Sequence, residues 1–114
     1  MGLYTNRNYS IRCYGWPMHV AVDTYVIDSL MPDLVGHDRR PSAFLVYLWL
    51  WRKTRGASCS TVASYQMLAD GTGLSKGSVQ AAVKSLEQRR LVGVKRRTAT
   101  SAPTFTLHCH WRDR

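Results

Sequence analysis

With 114 residues, 45% of them hydrophobic and 20% charged, the chain has the composition of one ordinary globular domain with a modest core and little room for a second. Its longest apolar run, Ala43 to Trp51, is far too short to span a bilayer, and no leader pattern opens the chain. The widely spaced Cys13, Cys59 and Cys109 do not suggest a disulfide framework, so a reduced, cytoplasmic protein is expected.

The formal charge of +9 is one-sided. Up to residue 40, Arg7, Arg12, Arg39 and Arg40 balance Asp23, Asp28, Asp33 and Asp38. Beyond it, twelve basic residues meet only Asp70, Glu87 and Asp113. A field of that kind attracts a polyanion.

Residues 1–16 mix Asn, Gly, Arg and aromatics without a helical period and read as an arm or irregular strand, the N-terminal arm as a whole spanning residues 1–22. Asp23 or Thr24 then caps a helix through about Leu34, whose Val26, Ile27, Leu30, Met31 and Leu34 form an apolar side. Pro32 is expected to bend or fray it, and Gly36 to end it. Ser42 caps the hydrophobic spine, a helix to about Arg55 closed by Gly56, with "AFLVYLWLW" apolar nearly all round. Such a helix needs a second cover. The 23–34 helix is the favoured one; any homodimer would instead use the arm or Tyr47, Trp49 and Trp51. Arg52, Lys53 and Arg55 offset the helix C-terminal dipole. Ser58 to Val62 forms a short strand candidate.

Ser64 caps the next helix, Tyr65 to about Thr72, and Gly73 supplies the positive φ that closes it. After the turn residue Leu74, Ser75 caps a further helix with Val79, Val83 and Leu86 on one buried stripe. The opposite side collects Gly77, Ala81, Lys84 and Gln88, flanked by Ser78 and Gln80. Short side chains let a backbone approach a major groove closely. Lys76, Gly77, Ser78 and Gln80 stand at the leading end, where Gln can pair with adenine and Lys can reach guanine or phosphate.

Leu91, Val92 and Val94 lead into Lys95, Arg96 and Arg97, then "TATSAP" and a run in which Phe105, Leu107 and Cys109 alternate with Thr104, Thr106 and His108. This reads as a hairpin with a basic, flexible tip, Ala102 and Pro103 lying at its loop or edge. The fold class is therefore mainly α with a small β wing: a three-helix core, an additional N-terminal helix and a short antiparallel sheet. The domain spans residues 23–110, with a tail at 111–114. Its expected partner is double-stranded DNA, contacted by Ser75, Lys76, Gly77, Ser78, Gln80, Ala81, Lys84, Lys95, Arg96 and Arg97.

The stretch "SYQMLADGTGLSKGSVQAAVKSLEQRRLVGV" resembles winged helix-turn-helix domains of bacterial, phage and plasmid proteins. The helices "VDTYVIDSLMPDL" and "FLVYLWLWRKTRG" extend the resemblance to the N-terminal domains of phage replication protein O and related plasmid initiators. The resemblance covers about residues 20–108 and implies DNA binding, most simply in transcription regulation, with replication initiation as the alternative. Initiators usually carry further chain to recruit helicase, and with the end at Arg114 a stand-alone regulator or a small element-encoded factor is expected. Gly77 and Ala81 leave few long base-reading side chains, which shifts weight to DNA shape and wing contacts.

Other readings rank lower. His108, Cys109 and His110 carry metal-ligand chemistry, but alternation separates Cys109 from the two histidines and no CxxC pair exists; an exposed tail is the simpler assignment. No phosphate loop or nucleophile signature points to an enzyme or cofactor. A winged-helix protein adaptor would not need the basic surface. RNA binding would engage Tyr4, Tyr9, Tyr14 and Trp16, which as readily pack on the spine helix.

Overall fold

The computed structural model describes residues 19–54 and 60–112. The aromatic arm through residue 18, Cys13, Arg55, the closing Gly56, Cys59 and the last two residues lie outside the described residues.

Helix α1, residues 24–37, winds widely through Val26–Leu30 and Pro32–His37 with i→i+5 bonds, such as Asp38 N–H to the Asp33 carbonyl at 2.8 Å. It passes Pro32 and Gly36 rather than ending near Leu34. Pro32 heads the second wide segment, and the helix continues through it although the proline offers no N–H to the preceding turn. The chain reverses instead at Arg39, with φ 54°. Neither Asp23 nor Thr24 caps α1 through its side chain; the Asp23 carboxylate is directed to the far end of the chain.

Helix α2, Pro41–Thr54, opens on its proline, not on a Ser42 cap: Pro at the first position is already set for helical φ, and the Arg40 carbonyl accepts from Ala43 N–H. Ala43, Phe44, Val46, Tyr47, Leu50 and Trp51 are buried. They pack against α1, both later helices and the sheet. Val26, Leu30 and Leu34 of α1 supply the second cover. Tyr47 and Trp51, which a dimer would have used, have no exposed surface. Full burial of such side chains contributes about 1.5–3 kcal/mol each.

Strand β1, Ser60–Val62, joins β2, Val92–Lys95, and β3, Thr104–Leu107, in an antiparallel sheet of order β1-β3-β2. The register places Val94 opposite Phe105 and Ser60 opposite Thr106. Phe105 and Leu107 face the core while the threonines face outward. Pro103 is buried, and its carbonyl accepts from Ala63 N–H at 3.2 Å.

The chain end differs from the expected exposed tail. Cys109 is buried, and Trp111 stacks on Tyr25 at 4.5 Å and beside Trp51 at 6.4 Å. Trp111 Nε1–H and the Arg112 guanidinium both donate to Asp23. Flat aromatic surface and a charge-assisted fork thus close the C-terminal turn over the start of α1.

Candidate nucleic-acid interface

Helix α3, Tyr65–Thr72, is capped by the Ser64 hydroxyl, which accepts from Met67 N–H at 3.1 Å, and ends at Gly73 with φ 82°. Leu74 is half-buried in the turn. Helix α4, Lys76–Gln88, repeats the device: Ser75 Oγ accepts from Ser78 N–H at 3.1 Å and donates to Ser78 Oγ. Both caps are local and fix where each helix begins.

Val79, Ala82, Val83 and Leu86 form the inner stripe of α4. Lys76, Gly77, Gln80 and Lys84 are exposed on the outside, with Ser78 and Ala81 partly covered. The far end closes with Leu91 N–H on the Leu86 carbonyl and Arg90 N–H on that of Glu87. Arg90 takes the left-handed conformation, φ 59°, and the buried Leu86 and Leu91 complete this termination.

Beyond Leu91 the ribbon projects beside α4. Its exposed tip is bonded to itself. Thr98 N–H donates to Ser101 Oγ at 3.0 Å and Ser101 N–H returns to Thr98 Oγ1 at 3.2 Å. Between wing and α4 lies an open cleft of about 380 Å³ whose walls include Tyr65, Gln66, Lys76, Gln80, Arg96 and Ser101. Among the described residues, no carboxylate lines it.

Of the residues expected from sequence to contact DNA, the cleft thus unites Lys76, Gln80 and Arg96. Lys84 continues the same outer face of α4, whereas Lys95 and Arg97 are exposed but do not line the cleft. Sequence reasoning missed Tyr65 and Gln66: both sit in the first turn of α3, and only the return of the wing reveals their position. Ser101 was passed over as a loop residue.

Two ion pairs lie outside the cleft. Asp38 accepts from Arg89 Nε at 2.6 Å and Nη2 at 2.9 Å, with Asp33 3.5 Å from the same guanidinium. That fork, helped by the His37 ring, holds the Asp38 carboxyl at about 2. Arg112 and Trp111 likewise hold Asp23 below its ordinary range. Burial pushes the Tyr47 phenol upward, so it stays neutral; its hydroxyl donates to the His108 carbonyl at 3.4 Å.

Among the described residues, no helix is long and apolar enough to cross a membrane. Comparisons with curated proteins and with solved structures give no significant match. A family model described as a helix-turn-helix domain matches residues 40–92, from the threshold of α2 to the start of β2. With that helix pair at its centre and the ribbon beside it, the fold is a winged helix-turn-helix.

Proposed function

We propose that the protein binds double-stranded DNA, without catalysis, as a transcriptional regulator: α4 enters the major groove and the wing lies along the neighbouring backbone. The helix-turn-helix match supports DNA binding. The observation that carries the geometry is the exposed face of Lys76, Gly77, Gln80 and Lys84 beside an acid-free cleft closed by Arg96. The inner stripe is sealed in the core, so this face is free to meet a groove. Phosphate contacts would set affinity and Gln80 a base preference.

Binding to duplex DNA, single strands and duplex RNA at about 50 and 200 mM salt tests the proposal, because phosphate contacts impose a steep salt dependence. Duplex DNA should bind tightest. Failure to prefer it would remove the assignment. Duplexes selected from a random pool then identify the site, and locating it in promoters rather than at an origin separates regulation from the replication role implied by the likeness of residues 22–34 and 44–56 to phage and plasmid initiators.

A further inference from the structure

The three cations of the wing occupy different settings. Arg96 leans over the Tyr65 ring, 5.7 Å from its centroid, and Nη1 donates to the Ser101 carbonyl at 3.0 Å. Tyr65 is in turn tilted against the buried Phe105 at 6.1 Å. The ring is therefore already engaged and is poorly placed to stack on a base. Arg96 still has further N–H donors, since a guanidinium carries five. Lys76 lines the same cleft, and among the described residues no carboxylate lines it beside either cation.

A free arginine gives up rotamer freedom when it grips an anion. One stacked on an aromatic ring and tied to a carbonyl has already given up much of it. We propose that the cleft seats one phosphodiester of duplex DNA between Lys76 and Arg96, and that Tyr65 is the positioning residue that makes Arg96 effective. The proposal rests on the DNA-binding function above and assigns unequal roles within the Lys95, Arg96 and Arg97 triplet.

The test is duplex affinity against salt for the intact chain and for Arg96→Ala, Arg96→Lys, Tyr65→Phe, Tyr65→Leu and the Tyr65→Leu/Arg96→Ala double variant, with a thermal melt of each. Arg96→Ala should lower the salt slope by about 0.9, one phosphate's worth, and weaken binding roughly ten-fold at moderate salt. Arg96→Lys should keep the slope but lose affinity with the planar fork. Tyr65→Phe, which keeps the ring, should match the parent, whereas Tyr65→Leu should lose affinity. In the double variant the loss should be no greater than for Arg96→Ala alone.

Additive losses in the double variant would overturn the positioning role. An unchanged slope in Arg96→Ala, with the parent still binding, would overturn the phosphate seat while leaving the proposed function intact. No duplex binding by the parent would remove both. Equal Arg96-dependent binding of duplex RNA would overturn the assignment to DNA. If Tyr65→Leu melts early, the comparison of Arg96→Lys with Arg96→Ala still decides the seat.

Discussion

Gly77 illustrates how a residue can be chosen against the stability of its own helix. It stands at the second position of α4, and a Cβ added there would meet nothing within 4 Å. Gly77→Ala should therefore raise stability, by up to about 0.5–1 kcal/mol, because alanine gives up less backbone freedom on folding. The same methyl would project toward the groove wall. Duplex affinity should consequently fall about five-fold, near 1 kcal/mol, while the melting temperature rises. Unchanged affinity would show that the helix backbone does not approach DNA closely at this point. Gln80 invites a different measurement. Gln80→Ala should alter the ranking of selected sequences by about 1–3 kcal/mol if the amide pairs bidentately with adenine. Equal losses on selected and random DNA would remove Gln80 from the reading set.

If the protein binds DNA as proposed, the wing and α4 divide positioning from reading. Replacing Lys95, Arg96 and Arg97 together by Ala should weaken binding to every duplex alike and lower the salt slope by about 0.9 for each phosphate that is no longer neutralised. A loss confined to particular sequences would instead give the wing a reading role. The elements that sequence predicts well are those whose determinants are local. Ser64, Gly73 and Ser75 each act within a few residues, so the bounds of α3 and the start of α4 are legible from caps alone. The alternating apolar residues of β3 likewise state which side faces the core. Where partners are distant, prediction fails. Asp23 reads as a helix cap until Trp111, 88 positions away, claims its carboxylate. Tyr65 reads as an ordinary first-turn residue until Arg96 comes back across it. Pro32 reads as a breaker because pattern assumes one winding, and the wide turns of α1 begin afresh at the proline.

Over the whole molecule, α1 is fastened at both ends by acid–base pairs formed across the chain: Asp23 with Arg112, and Asp38 with Arg89 at the end of α4. The second pair ties the N-terminal cover to the far end of the proposed recognition helix, so its loss should be felt in folding before it is felt in binding. Asp38 lies at about 2 in the folded protein against an ordinary 3.8, chiefly through the hydrogen bonds from Arg89 and secondarily through His37. A folded value below the unfolded one means that the unfolded chain takes up protons first as acid is added. The stabilisation is therefore complete above about pH 5 and is lost as pH falls through 2 toward about 1. With the Asp38 side chain 22% exposed and that of Arg89 32%, solvent screening reduces the pair to about 1 kcal/mol. Asp38→Asn should then lower the melting temperature by roughly 4 °C at pH 7. The gap should close steadily between about pH 5 and about pH 1. Melting curves of both proteins across that range check the expectation, and a gap undiminished at the acid end would trace the loss to altered packing or hydrogen bonding rather than to the charge on Asp38.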